Sequence, residues 1–293
     1  MPVEIYHIKA MGARNWNKFE QMVQKIEAAR QDGLDVGGDT FPYLNSHTTF
    51  TALLPPWVSA DGKMLRRLED PEVCKRLIHE LESPGEGWEN LAHLAGPDKT
   101  RLLTAAGKVP ESWSGKSVQE IAAKLGTSWP AAVIEVIRRS RGEAGVVLET
   151  MCEANLLRSL QLPWVIFGTD AGGREPSEKS SFGHPRGAGT YPRILGQYCR
   201  DAGSLPLEQA IHRMSGAVAL KLSIADRGFI REGMYADLVL FDPAKVADRA
   251  SYEYHRRPPE GIRHVLVNGM AVLADGKPTG ARPGKIVRPV PRK

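Results

Sequence analysis

Short apolar segments alternate with amphipathic helical patterns along most of this chain, and this alternation constrains its fold more than any other feature. Val3 and Ile5 lie in a period-2 segment, which is followed by the helical pattern of "NWNKFEQMVQKIEAARQDG" and by the strand candidate "GLDVGGDTFPY". The later strand candidates "AGVVLET" and "LPWVIFG" follow helical patterns in the same way. Strand and helix in this order predict an α/β fold with a mostly parallel sheet and crossover helices.

Two stretches depart from the alternation. Residues from about 44 to 116 are punctuated by Pro and Gly but keep apolar residues throughout, so we expect a long insertion that contains the helix "PEVCKRLIHELES" and the strand "KTRLLTAA". "KSVQEIAAKLG" then opens with a capping box, Ser117 with Glu120. After about residue 225 the chain becomes rich in β patterns such as "DLVLF" and "HVLVNG", which predicts a small antiparallel layer and a domain boundary.

Composition and charge exclude several classes of protein. The net charge of +5 comes largely from a basic tail without acids, and no aromatic-interleaved basic stripe is present, so we expect no nucleic-acid partner. No apolar run is long enough to span a membrane, and no signal peptide is visible, so we expect a cytoplasmic protein without a membrane partner. The three cysteines are predicted to be free thiols. The basic tail residues are Arg282, Lys285, Arg288, Arg292 and Lys293.

A single carboxylate follows the apolar segment of "LPWVIFGTDAGG". Asp170 stands at the end of a predicted buried strand, where an unpaired charge is prohibitively costly, so it must be solvated, paired or used in chemistry. An aspartate before two glycines can also cap the following turn through its side chain.

Several motifs together resemble a known family. "EGMYADLVLFDP" followed by "GIRHVLVNGMAVLADGKPTG" is similar to the closing signature of the amidohydrolase superfamily, and "YHIKAMGARNW", "FGTDAGG" and "HPRGAGTYPRILG" resemble the C-terminal part of the N-acyl-D-amino-acid deacylase (D-aminoacylase) family. The resemblance implies the C-terminal half of a metal-dependent (β/α)8, TIM-type barrel, with strands five to eight over residues 1–224. It also implies the C-terminal share of a small β-sandwich, followed by the basic tail, over residues 225–293.

The same resemblance implies a function, a cofactor and site residues. The activity would be metal-dependent hydrolysis of the amide bond of small-molecule N-acyl-D-amino acids, with Zn²⁺ as cofactor. Asp170 would bind the metal and transfer the proton, and His7 would be a zinc ligand. His184, Arg186 and Tyr191, predicted to lie in a mobile glycine-rich loop, would bind substrate, with the fork of Arg186 on the α-carboxylate. The alternative for Arg186 is an ion pair with a structural acid.

The chain departs from the family pattern in ways that affect the metal. It has no His-x-His pair, and Phe41 stands where a second histidine ligand is expected; His47 is a candidate substitute, and Lys9 is expected to be peripheral. A catalytic zinc usually takes three protein ligands, so we expect this chain alone not to retain the metal. The alternatives are a non-catalytic truncated fragment, a half-enzyme that needs a missing N-terminal half or self-associates, and a different C–N hydrolysis such as the opening of a cyclic amide.

Overall fold

The computed structural model describes residues 2–85, 87–179 and 181–290. Two residues of the predicted basic tail, Arg292 and Lys293, lie outside this range. Within it the chain is an α/β protein with ten strands. The strands are β1 Val3–Ile5, β2 Val36–Thr40, β3 Asn45–Thr49, β4 Thr100–Thr104, β5 Gly145–Glu149, β6 Val165–Phe167, β7 Leu238–Phe241, β8 Ile262–Val267, β9 Met270–Ala274 and β10 Lys277–Pro278.

Eleven α-helices connect and cover these strands in the described part of the chain. They are α1 Lys18–Gln31, α2 Pro56–Ser59, α3 Met64–Arg67, α4 Pro71–Glu82, α5 Leu91–Ala95, α6 Val118–Leu125, α7 Trp129–Ser140, α8 Glu153–Gln161, α9 Arg186–Arg193, α10 Leu207–Met214 and α11 Gly216–Lys221. A π-helical segment, Ile194–Asp201, continues α9. No helix among the described residues is both long and apolar enough to cross a membrane.

A parallel sheet carries the predicted strand ends. Its order is β1-β2-β6, and both pairings are parallel, with Val3 opposite Val36 and Thr40 opposite Phe167. Helix α1 makes the crossover from β1 to β2, and its buried residues Phe19 and Val23 pack beneath the sheet. Since the strands run the same way, their carboxyl ends meet at one edge. We call this sheet with its strand ends the parallel region.

A second, antiparallel sheet corrects one sequence prediction. The segment "AGVVLET" was expected to join the parallel sheet, but its strand β5 instead lies between β3 and β4 and pairs antiparallel with both. The prediction of a strand in this segment was confirmed, but the prediction of its pairing partners was wrong. A buried apolar run indicates that a strand is covered on both faces, but it does not identify the strands that pair with it. We call residues 45–149, from the start of β3 to the end of β5, the antiparallel region.

The predictions of a helix and of a helix cap in the antiparallel region were confirmed. Helix α4 covers the predicted segment and begins with Asp70 accepting a hydrogen bond from Glu72 N. Helix α6 has the predicted capping box, in which Ser117 and Glu120 each accept a backbone hydrogen bond from the other, and it ends at Gly126 with a left-handed φ of 65°. The largest apolar core lies between these helices, α7 and the sheet.

The last sheet has the order β10-β9-β8-β7 and is antiparallel throughout, as the β patterns predicted. The three cysteines, Cys74, Cys152 and Cys199, are free, as expected. The segment between β7 and β8, including Asp248 and Tyr252, runs back to the parallel region and contributes to the candidate site.

Candidate active site at the strand ends

Three polar residues lie where the parallel strands end. His7 follows β1, Asp39 lies near the end of β2, and Asp170 follows β6. The His7 backbone N–H donates to Asp39 Oδ1 at 2.7 Å. Burial raises the pKa of Asp39, the hydrogen bond from His7 opposes this, and the charge of Asp170 adds to it. In α/β barrels the active site forms at the carboxyl ends of the parallel strands. The location of these three residues therefore favours a catalytic role.

The backbone at two of these positions is strained. His7 has φ 38° and Asp170 has φ 47°, in the left-handed region that residues with a side chain adopt at a cost of about 1–3 kcal/mol. Strain of this kind persists only where surrounding contacts enforce it, and it concentrates at functional sites. The two residues predicted to bind the metal thus both have a left-handed backbone conformation.

Asp170 is paired with Arg186. Arg186 Nη1 lies 2.7 Å from Asp170 Oδ2, in an ion pair whose arginine side chain is 8% exposed and whose aspartate side chain is 41% exposed. The guanidinium also stacks over Phe41, with its carbon 5.0 Å from the ring centroid. Burial lowers the pKa of Arg186, and the charge of Asp170 opposes this. The acid partner considered for Arg186 therefore exists, and it is the candidate catalytic carboxylate.

The predicted glycine-rich loop is a helix, which corrects a second expectation. Arg186 is the first residue of α9 and Tyr191 lies in its last turn. A Cβ on Gly189 would overlap the Tyr43 hydroxyl and the Asp248 carboxylate, so this glycine allows α9 to approach its neighbours closely. The glycines of the motif therefore serve packing and give no support to a mobile lid.

His184 is fixed by the backbone on both sides. Its Nε2 lies 2.9 Å from the Asn45 carbonyl oxygen, and its Nδ1 accepts from the Arg186 N–H at 3.2 Å. A neutral ring with the proton on Nε2 satisfies both contacts. Burial lowers the pKa of His184 to about 3, and the charge of Arg186 contributes in the same direction. In this structure His184 positions Arg186.

Lys9, which was expected to be peripheral, lies beside His7. Its Nζ lies 2.7 Å from His7 Nδ1 and donates to the His7 carbonyl oxygen at 2.9 Å. Burial lowers the pKa of Lys9 to about 8; Asp170 opposes this shift and Arg186 adds to it. The segment "HIK" thus places the imidazole of His7 and the amino group of Lys9 next to each other.

The residues that are present do not complete a catalytic zinc site. Among the described residues, no three His, Cys, Asp or Glu side chains are grouped closely enough to hold a metal ion. His7 Nδ1 contacts Lys9, and Asp170 is paired with Arg186, so each candidate ligand already has a partner. A catalytic zinc usually takes three protein ligands, so His7 and Asp170 alone fall short of the requirement, and among the described residues His47 is not grouped with them.

An open cleft of about 740 Å³ gives access to Asp170 and Arg186. His47 and His184 also line it, together with His255 and its neighbours between β7 and β8. His7 and Lys9 instead line a separate small cavity of about 20 Å³. The structure therefore brings His47 to the same cleft as Asp170, and Tyr191 is on the helix that begins with Arg186.

Two features of the site were missed from the sequence. Asp39 has the same signal that identified Asp170, a carboxylate near the end of an apolar strand, and could have been found by the same argument. The part of the lining formed by His255, Arg256, Pro258 and Pro259 could not, because these residues have no motif and lie far along the chain from the rest of the lining.

The chain is similar in sequence to known proteins. A model described as "Amidohydrolase family" matches residues 4–273. The D-aminoacylase of Alcaligenes xylosoxydans xylosoxydans is 33% identical over 289 residues, which is 98% of this chain and 49% of that protein. This chain therefore spans about half the length of the relative.

Two solved structures are similar over nearly the whole chain. The crystal structure of a D-aminoacylase has a TM-score of 0.74 at 32% identity, covering 98% of this chain and 50% of that one. The N-acyl-D-glutamate deacylase of Bordetella bronchiseptica, complexed with zinc and a phosphonate mimic of the tetrahedral intermediate, has a TM-score of 0.69 at 29% identity, covering 94% and 48%. The family model, the sequence identity and the shared architecture lead to one conclusion: this chain belongs to the amidohydrolase family.

Proposed function

We propose that the chain carries part of the active site of a hydrolase that cleaves the amide bond of N-acyl-D-amino acids. The observation that carries the proposal is the ion pair of Asp170 with Arg186 at the end of a parallel strand, at 2.7 Å and facing an open cleft. The similarity to deacylases of D-amino-acid derivatives supports the substrate class.

Asp170 is proposed as the group that moves the proton. Amide hydrolysis requires a base that takes a proton from the attacking water and an acid that returns it to the leaving amine. The side chain of Asp170 is 41% exposed, so it can reach a substrate in the cleft while Arg186 fixes its orientation. One carboxylate can serve both steps in turn.

Arg186 is proposed to hold the α-carboxylate of the substrate, with Tyr191 and His184 supporting it. A guanidinium carries five N–H donors in a planar fork, and the pair with Asp170 engages its Nη1 group. His184 fixes the backbone of Arg186 through its ring Nδ1. A carboxylate bound beside Asp170 would bring the neighbouring amide within reach of the proton-transferring group.

Zn²⁺ is proposed as the cofactor of the complete enzyme, with His7 and Asp170 as the ligands from this chain and His47 as a further candidate. When bound, the metal would polarise the amide carbonyl and activate water. Because the described residues do not complete the site, we assign no step to it. The alternative is a half-enzyme that turns over only with a complementary polypeptide.

The proposal is tested by two proteins assayed in parallel. One is the purified chain, with and without added zinc, and the other is a chimera in which the chain replaces the segment that it matches in the Alcaligenes D-aminoacylase. We expect the chimera to bind zinc and to hydrolyse N-acetyl-D-amino acids but not their L-enantiomers, and the isolated chain to hold no tightly bound zinc. A folded, zinc-loaded chimera without D-amide hydrolysis would refute the proposed function.

A further inference from the structure

A buried carboxylate from the segment between β7 and β8, that of Asp248, lies against α9. We infer that Asp248 is a positioning residue, which fixes α9 so that Arg186 is held beside Asp170 and faces the cleft. Asp248 is not among the described residues that line the cleft, so it acts through other side chains. The inference rests on the proposed function for the role of Arg186 and adds to it the residue that places this arginine.

Helix α9 depends on its neighbours for its position. It has eight residues, and these include Gly187, Gly189 and Pro192, which are poor helix formers. A helix this short is marginal in water, so contacts with other elements decide where it lies. Arg186 is its first residue and Arg193 its last, so a group that binds Arg193 fixes the far end of the helix.

Both oxygens of the Asp248 carboxylate have defined partners. Oδ2 accepts from the Tyr43 hydroxyl at 2.8 Å and lies 3.5 Å from Arg193 Nη1. Oδ1 accepts from the Ala250 N–H at 2.8 Å, which fixes the carboxylate on its own segment. Because the Asp248 side chain is only 7% exposed, water screens these charge-assisted contacts little.

The contacts of Asp248 extend to both ends of α9. The guanidinium carbon of Arg193 lies 4.9 Å from the centroid of the Tyr43 ring, so these two partners of the carboxylate also contact each other. The Tyr43 ring makes an edge contact with the His184 ring, with 5.4 Å between the centroids. His184 Nδ1 in turn accepts from the Arg186 N–H at 3.2 Å. Asp248 therefore holds the last residue of α9 directly and its first residue through Tyr43 and His184.

The middle of α9 also lies close to the carboxylate. A Cβ on Gly189 would lie 2.3 Å from Asp248 Oδ1 and 2.1 Å from the Tyr43 hydroxyl oxygen. Only glycine permits the helix backbone to approach these two groups so closely. The position of α9 is thus set along its whole length by the group that Asp248 forms with its partners.

The inference is tested on the purified chain with phenylglyoxal, which modifies accessible guanidinium groups and requires no turnover. The rate at which Arg186 is modified would be measured by peptide mass spectrometry in the parent, in Asp248→Asn and in the matched control Asp242→Asn. Asp242 is a suitable control because its Oδ1 also accepts from the N–H two residues further on, that of Ala244, at 2.9 Å. Its charged partner, however, is Lys245 of the same segment, at 3.8 Å.

A second buried arginine serves as the internal reference. Arg213 is 4% exposed and Arg186 is 6% exposed, so general loosening would expose both. Arg213 donates from its Nε to the Val165 carbonyl, a contact that does not involve Asp248. Asp248→Asn should raise the modification rate of Arg186 about tenfold and leave that of Arg213 unchanged, since local opening becomes easier when a charge-assisted contact is lost. Asp242→Asn should change neither rate.

Two results of the modification experiment would overturn the inference. One is an unchanged rate at Arg186 in a folded Asp248→Asn protein, and the other is an equal increase at Arg186 and Arg213, which would show only a general loss of stability. Tyr43→Phe keeps the ring and removes one donor to the carboxylate, so it should raise the rate at Arg186 about threefold. This second variant decides the inference if Asp248→Asn does not fold, and an unchanged rate would then overturn it.

Kinetics of the chimera separate the inference from the proposed function. If Asp248 positions Arg186 for the α-carboxylate, Asp248→Asn should raise KM for N-acetyl-D-amino acids about tenfold, with a smaller effect on kcat. A parental KM in this variant would overturn the inference and leave the deacylase proposal standing. If the parent chimera is folded and zinc-loaded but inactive, the proposed function fails, and the modification rates still decide whether Asp248 positions Arg186.

Discussion

The antiparallel region of the molecule forms a buried apolar core, whereas the parallel region carries polar residues at its strand ends. In the antiparallel region, residues such as Leu102, Ile121 and Leu148 are fully buried in one continuous core, and the helices carry regular caps. In the parallel region, β1 and β6 have three residues each and lead into strained, partly exposed polar positions at His7 and Asp170. The larger buried core thus lies in the first region and the candidate chemistry in the second, and we expect the first region to contribute more to stability.

The strongest way to break this comparison is a cavity in the antiparallel core. Leu148 on β5 is 0% exposed, so Leu148→Ala should lower the free energy of unfolding by about 2–5 kcal/mol. The matched variant Leu34→Ala, at a residue that is 59% exposed, should change it by less than about 0.5 kcal/mol. Denaturant unfolding followed by circular dichroism measures both. Equal effects would show that the core of the antiparallel region does not dominate stability.

A smaller loss in the free energy of unfolding is expected from a substitution in α9, where this helix packs near the strand ends. The added methyl group of Gly189→Ala would overlap Tyr43 and Asp248 and should cost about 1–3 kcal/mol, because overpacking forces neighbouring groups to move. In Gly187→Ala the new Cβ meets only Ala171 at 3.3 Å, and alanine is the better helix former. Only Ala171 would have to shift, so the control should cost less than Gly189→Ala in the same unfolding assay. If Gly189→Ala is equally well tolerated, α9 is not packed as closely as described.

The pH dependence of stability reports on His184. Because burial lowers its pKa to about 3 in the folded state, below the value of about 6.5 in the unfolded chain, the unfolded state binds more protons between these values. Stability should then fall as the pH drops through this window, by at most about 1.4 kcal/mol per pH unit from this group. His184→Gln, which can still donate to Asn45, should have a shallower slope than the parent in unfolding titrations. Identical slopes for the two proteins would argue against a buried, neutral His184.

The smallest of these effects concerns a helix cap. Ser117→Ala removes the hydroxyl that accepts from Glu120 N and should cost about 1 kcal/mol. Ser128 is at the equivalent position of α7 but makes no side-chain cap hydrogen bond, so Ser128→Ala should have little effect. Thermal unfolding compares the two. A larger loss in the Ser128 variant would contradict the assignment of the caps.

What could be predicted from the sequence follows the same division between the regions. The capping box at Ser117 and the helix Pro71–Glu82 depend on interactions within a few residues, so local patterns were sufficient. The pairing of β5 and the helical state of the segment after Arg186 depend on distant partners, including Asp248 beside Gly189. Local propensity disfavours a helix with two glycines and a proline, and tertiary packing overrides it. Asp170 and Arg186 were both identified as candidate site residues, but their pairing across 16 positions was not predicted.

The most direct test of the account is the turnover of Asp170→Asn in the chimera described above. Asparagine also tolerates a left-handed φ and can accept a hydrogen bond from Arg186, so the variant should fold like the parent while the proton-transferring carboxylate is lost. We expect turnover of N-acetyl-D-amino acids to fall by about two to four orders of magnitude. Asp61→Asn is the control, because Asp61 also has a positive φ, 57°, and an arginine partner at 3.5 Å but lies outside the cleft. Turnover of Asp170→Asn close to that of Asp61→Asn and the parent would contradict the central claim.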